Sequence, residues 1–171
     1  RVICGRSMHL VRQKCNEWLE VVRLPFPDVP PRTVWFQLKN IYSILDMCRD
    51  CDIIHGMSGS SSICAYVKKR LRKPWVVSFH GVPRRNLSTL LRAPLREWTI
   101  GDIGLHLVEY PLWDFINRVE ISYSDHGVAV GKSTFVDLVA DYKVQGWSVI
   151  PNGIDLKEMD RFLTDCDDFR S

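Results

Sequence analysis

The 171-residue sequence contains no run of about 18 apolar residues, which excludes a membrane-spanning helix from the sequence pattern. Its opening, Arg1-Val2-Ile3-Cys4, lacks the charged and then apolar pattern of a secretory leader. There is no internal repeat and no low-complexity tract. A cysteine framework is also missing: the six cysteines, at 4, 15, 48, 51, 64 and 166, are scattered through apolar surroundings. A chain of this length does not need covalent staples, so buried free thiols in a reducing compartment are expected. The net charge of +3 is too small to argue for nucleic acid. These absences leave a soluble, cytoplasmic protein as the expectation.

What is present is ordinary globular composition, 46% hydrophobic and 25% charged, enough for one core and one domain. The charge is uneven. Residues 53–96 hold Lys68, Lys69, Arg70, Arg72, Lys73, Arg84, Arg85, Arg92 and Arg96 with no acid, while the other 127 residues carry 14 bases and 20 acids. A local positive surface facing phosphate or a lipid headgroup is expected.

Short apolar runs closed by Gly or Pro alternate with longer amphipathic stretches, the pattern of βα units around a parallel sheet. Strands are predicted at 2–4, stopping at Gly5, at 19–24, 52–55, 75–79, 127–130 and 147–150. Helices are predicted from Val34, Leu38, Ile41 and Leu45; through Ala65, Val67 and Leu71, with caps from Ser58 to Ser62; over 110–123, with apolar residues at 112, 115, 116 and 119; and from Gly131, with Phe135, Leu138 and Val139 inward. Residues 7–16 fit a helix or a loop. Pro83, Pro94, Gly101 and Gly104 break the periodicity between His80 and Leu107, which predicts a functional loop with helical pieces. Pro151-Asn152-Gly153 predicts a forced turn, because Pro fixes φ while Asn and Gly tolerate positive φ.

Several constellations bear on chemistry. Gly127-Val-Ala-Val-Gly131-Lys132-Ser133-Thr134 resembles a phosphate-binding loop, but three β-forming residues separate the glycines where four loop residues are needed. A strand followed by a capped helix is the better reading. Cys48-Arg-Asp-Cys51 has half the spacing of a zinc or redox site, with no second pair to match it, so core-facing or helix-end thiols are expected. His9, His106 and His126 stand alone and read as structural or surface residues. The bases at 68–73 fit either a solvated helix face or an anion-facing one. His55 and His80 differ, because each ends a predicted parallel strand beside a glycine, at the edge where parallel α/β sheets bind ligands. Such a histidine can hydrogen-bond a phosphate or sugar hydroxyl, and the glycine admits a ligand close to the backbone. Simple strand termination is the alternative for both.

Four stretches, in order, resemble the amino-terminal half of the retaining GT-B glycosyltransferases of family 4. Asp52-Ile-Ile-His55-Gly-Met-Ser58 and Lys73-Pro-Trp-Val-Val-Ser-Phe-His80-Gly81 are similar to two of its strands, and Ser124-Asp125 to Lys132-Ser133 to a third segment. Val149-Ile150-Pro151-Asn152-Gly153-Ile154-Asp155 matches its hydrophobic-Ile-Pro-Asn-Gly-Val-Asp motif closely. The resemblance runs from about Leu19 to Met159 and disfavours a helix at 7–16.

The resemblance implies a Rossmann-like parallel sheet flanked by helices over 1–150, with 151–171 as hinge and start of a linker to a second, nucleotide-sugar domain. It also implies that the family's first strand and glycine-rich turn, and its C-terminal domain, lie outside this chain. The implied activity is sugar transfer from a nucleotide-sugar donor to an acceptor, including a lipid-linked one, with retention of configuration. A non-catalytic module binding an anionic sugar or nucleotide is the alternative. His80 matches the catalytic position near the donor sugar; His55, Ser58 and Gly81 match the cleft lining, with Arg84 and Arg85 as further substrate-binding candidates. Asn152 and Gly153 match the hinge. Gly131 stands where the family usually has Ser, so it is left out of the site. The resemblance implies no metal and no resident cofactor, the nucleotide sugar being substrate. Basic Arg84, Arg85, Arg92 and Arg96, interleaved with Leu87, Leu90, Leu91 and Leu95, suggest peripheral contact with an anionic inner membrane face. The isolated chain is expected to be inactive, because a GT-B site lies between two domains.

Overall fold

The computed structural model describes residues 2–7, 11–15, 17, 19–26, 28, 31–82 and 109–153. The predicted loop carrying Arg84, Arg85, Arg92 and Arg96, and the acidic tail, lie outside the described residues. Strands β1 (Val2–Ser7), β2 (Val11–Lys14) and β3 (Glu20–Pro25) form one sheet, in the order β1-β3-β2. β1 pairs with β3 in parallel, and β2 pairs with it antiparallel. Strands β4 (Ile54–Met57), β5 (Trp75–Phe79), β6 (His126–Ala129) and β7 (Ser148–Val149) form a second sheet, in that order and wholly parallel. Helices α1 (Arg32–Met47), α2 (Ile63–Leu71), α3 (Tyr110–Tyr123) and α4 (Lys132–Tyr142) flank the strands. This is the Rossmann-like parallel architecture expected from the βα pattern.

The helical or loop segment expected at 7–16 is instead partly β2. Its four residues are all exposed, and only pairing with β3, supported by Arg23 Nη1 donating to Gln13 Oε1 at 2.8 Å, makes it a strand. β5 is apolar on consecutive positions because it is interior to a parallel sheet, with neighbours on both sides. Trp75, Val77 and Phe79 on one face are fully buried and join Val22 and Leu24 of β3 and Val67 of α2 in a single core.

The helices bury polar residues beside the apolar ones that the spacing predicts, and Leu45, Val67, Ile116, Phe135 and Leu138 are buried or pack on the core. α1 buries Gln37, Asn40, Ile44 and Met47, while Leu38 is exposed. The polar pair is satisfied: Asn40 Nδ2 donates to the Pro25 carbonyl at 2.9 Å and to that of Phe36 at 2.8 Å, fastening α1 to the end of β3. α3 buries Ile116, Asn117 and Glu120, leaving Phe115 exposed. α4 buries Thr134 and Leu138, and Val139 is exposed. α2 and α4 end on Arg72 and Lys143, at φ 56° and 60°, where each costs about 1 kcal/mol relative to glycine. None of Pro151, Asn152 and Gly153 takes the positive φ that the predicted turn would have allowed.

Candidate active-site edge of the parallel sheet

The parallel register determines which residues meet at the carboxyl edge of the second sheet. Met57 pairs with Ser78, Phe79 with Ala129, and Ala129 with Val149. One step beyond, the Ser58 N–H donates to the Ser78 carbonyl at 2.9 Å, Val130 to Phe79 at 3.1 Å and Ile150 to Ala129 at 3.0 Å. Ser58, His80, Gly81 and Asn152 therefore emerge along one rim. His80, Gly81, Asn152 and Gly153 are exposed, and a Cβ built on Gly81 meets nothing within 4 Å, so this backbone is open to a neighbour. Arg84 and Arg85 lie outside the described residues.

His55 is not at the strand end that the sequence suggests. β4 runs two residues past it, so His55 is level with Val76, and its Nε2 lies 2.7 Å from Ser78 Oγ. His126 of β6 makes the same diagonal contact to β7, two strands further along the sheet, 2.9 Å from Ser148 Oγ. Gly56 does not admit a ligand either. It is buried, and the space its Cβ would need is taken by Ser61 and by the indole of Trp75. Gly56 thus lets α2's leading turn close onto the sheet.

That turn is held by a residue the apolar periodicity passes over. Glu120 of α3 is fully buried, and its carboxylate accepts from the N–H of Gly59 and of Ser61, both at 2.9 Å, and from Ser61 Oγ at 3.0 Å. Burial pushes its carboxyl above the usual range, while the bonds from Gly59, Ser61 and Ser62 pull the other way. Gln37 Oε1 completes the cap, accepting from Ile63 N at 2.7 Å and Ser62 Oγ at 2.8 Å. The serine caps predicted at 58–62 are therefore replaced by remote side chains, and Ser62 makes no side-chain cap bond. The amino end of α2, a ready anion site in many α/β folds, is already filled by a protein carboxylate. A signal was present in the sequence: Glu120 stands at i+4 from Ile116, on the buried face of α3.

A second carboxylate clamps the other end of α2. Asp125 accepts from Lys68 Nζ at 2.7 Å and from the Trp75 N–H at 2.8 Å, and the Lys68 bond foremost holds its carboxyl below the ordinary value. Lys68 also donates to the Tyr123 carbonyl at 2.9 Å.

The cysteine and glycine motifs have structural explanations. Cys51 Sγ donates to the Cys48 carbonyl at 3.0 Å, and neither cysteine is in a disulfide. Cys48 and Cys64 are buried as expected, whereas Cys15 is exposed. Burial pushes the Cys64 thiol up from 9.0 to about 12, so it is no nucleophile at neutral pH. Among the described residues no cluster of three His, Cys, Asp or Glu side chains could hold a metal ion. No described helix is long and apolar enough to cross a membrane. Only Val130 and Gly131 separate β6 from α4, and Gly131 is extended at φ −169°, so no phosphate-wrapping loop exists at Gly131-Lys132-Ser133.

A parallel α/β sheet with this rim is the setting in which the sequence profile of Glycosyltransferase Family 4 matches residues 1–158. The chain belongs to glycosyltransferase family 4. The matched stretch is the family's amino-terminal domain, and it covers both sheets and all four described helices. No curated protein matches the chain.

Proposed function

We propose that the enzyme carrying this family 4 domain transfers a sugar from a nucleotide-sugar donor to an acceptor with retention of configuration. The described rim lines the acceptor side, and the loop after His80 holds the acceptor, which is a sugar or a lipid-linked molecule. His80 hydrogen-bonds the transferred sugar as the donor's glycosidic bond lengthens, and Ser58 and Gly81 line the approach. The donor departs with electrostatic help from fixed donors, and no metal or resident cofactor takes part. Asn152 and Gly153 carry the chain toward a second, nucleotide-binding domain.

The observation that supports this reading is the convergence of His80, open Gly81, Ser58 and Asn152 at the carboxyl edge of a wholly parallel sheet, where α/β proteins bind ligands. His55 is the weakest member of the set. Its ring nitrogen is engaged with Ser78, so its contribution is to the shape of the wall. The test is transfer by the enzyme carrying this domain, with and without His80→Ala. Loss of one preorganised hydrogen bond to developing charge predicts a fall on the order of a hundredfold in kcat, with the fold unchanged. Unaltered transfer by that variant would remove His80 from the mechanism.

A further inference from the structure

Away from the rim, the outer surface of the α1–α2–α3 layer combines exposed apolar side chains with bases. α2 is tied to α1 through Gln37 and to α3 through Glu120 and the Lys68–Tyr123 bond. Opposite the buried face of α1, Trp35, Leu38 and Tyr42 stand 47%, 56% and 78% exposed, and Phe115 of α3 is 63% exposed. Between them α2 presents exposed Lys69 and Arg70, the latter over the Tyr66 ring at 5.3 Å with its Nε 3.1 Å from the Tyr66 hydroxyl. A trough of about 530 Å³ opens between α2 and α3, lined by Tyr66, Lys69, Ser122 and the exposed Tyr123. Asp46 shares the α1 face, but Arg49 neutralises it at 3.3 Å.

We propose that this face docks on the headgroup layer of an anionic bilayer, with a lipid phosphate at Lys69 in the trough and the aromatic side chains of α1 and α3 at the water–lipid boundary. Charge complementarity selects this occupant. Within the described residues 53–82 there are five bases and no acid, all five at 68–73, and Lys69 and Arg70 are exposed on this face. Mixed Trp, Tyr and Lys or Arg is the composition of membrane interfaces. A second copy of the chain docked symmetrically would set Lys69 and Arg70 near their own counterparts. The placement differs from the membrane contact suggested by the sequence at Arg84 to Arg96, and it stands independently of the transfer reading.

The test uses the 171-residue chain and sedimentation with phosphatidylcholine vesicles, with and without a third of phosphatidylglycerol. Binding is expected only to the anionic vesicles, with a blue shift of tryptophan emission as Trp35 leaves water. At about fivefold per base near an anionic surface, Lys69→Glu with Arg70→Glu lowers binding by at least about twentyfold. Leu38→Ser with Tyr42→Ser removes the residual, salt-resistant part. All four positions are exposed, so thermal melting of the variants stays near that of the parent. Equal binding to both vesicle types, no binding to either, or full binding by the charge-reversed variant would overturn the proposal. So would a dimer in sedimentation velocity that the Leu38→Ser, Tyr42→Ser variant abolishes, because the face would then belong to a second copy. The readout is lipid binding alone, so a failure here leaves the transfer reading standing, and an inactive His80→Ala enzyme leaves this one standing.

Discussion

Glu120 and Asp125, five positions apart, both reach across to α2, yet their surroundings push them in opposite directions. Glu120 is sealed in the core and bonded only to neutral donors, and its carboxyl rises. Asp125 sits half in solvent beside an ammonium, and its carboxyl falls. Bond count does not decide the sign. Taking a carboxylate out of water costs more than neutral N–H groups return, whereas a cation at hydrogen-bond distance favours the charge even in partial contact with solvent. The buried clamp fixes the turn at the carboxyl edge that carries Ser58; the exposed one fixes the amino edge, where α2 hands over to β5.

The sharpest way to break this contrast is Glu120→Ala. It leaves the Gly59, Ser61 and Ser62 donors without their partner in the core, and about 3 kcal/mol of stability should be lost in a denaturant titration. Glu120→Gln, which keeps one acceptor, should lose less than half of that. A loss under about 0.5 kcal/mol for the alanine variant would mean that water or relaxation replaces the clamp. Next comes Gly56→Ala, which pits packing against hydrogen bonding in the same turn. The added Cβ runs into Ser61 and the Trp75 indole, so about 2 kcal/mol should go, and Glu120→Ala should cost less in that background because the turn is already displaced. Strict additivity would show the two to be independent.

Asp125→Asn should cost only about 1 kcal/mol, since the pair is nearly half exposed and screened by solvent. The smallest effect is also the most diagnostic. Glu120's folded carboxyl lies above its ordinary value of 4.5, so its contribution to stability is present below that pH and is lost as pH rises through the folded value. Asp125's lies below its ordinary 3.8, so its contribution is present above that pH and is lost as pH falls through the folded value. Stability against pH should therefore lose its decline on rising above pH 4.5 in Glu120→Gln, and part of its decline on falling below pH 3.8 in Asp125→Asn. Matching slopes in the two variants would contradict the contrast.

The same contrast explains what could be read from the sequence. β5 was legible because Pro74 and His80-Gly81 bracket a continuous apolar run, and 110–123 is helical over the predicted span because its apolar spacing is unbroken. The carboxyl-edge position of His80 followed from β5 directly. The helix faces are incompletely legible where polar residues take core positions: Gln37, Asn40, Asn117 and Glu120 are buried, and a count of apolar side chains alone passes over them. Val139, expected inward, is exposed for the complementary reason, as are Leu38 and Phe115 of the apolar spacing. β2 carries a single apolar residue, so its strand character comes from a partner that spacing cannot reveal. Gly56 looked like a strand end, but it lies inside β4 because the neighbouring turn needs the room of a missing Cβ.

The central claim is that the carboxyl edge at His80 is the ligand-facing side of this family 4 domain. Selectively labelled histidine rings, followed by NMR in the enzyme carrying this domain as nucleotide sugar is added, address it most directly. The account predicts that the His80 ring signal moves with saturation while His126, which begins β6 at the opposite edge and is engaged with Ser148, stays in place. A His80 signal that is unmoved at saturating donor, with His126 or neither shifting, would contradict it.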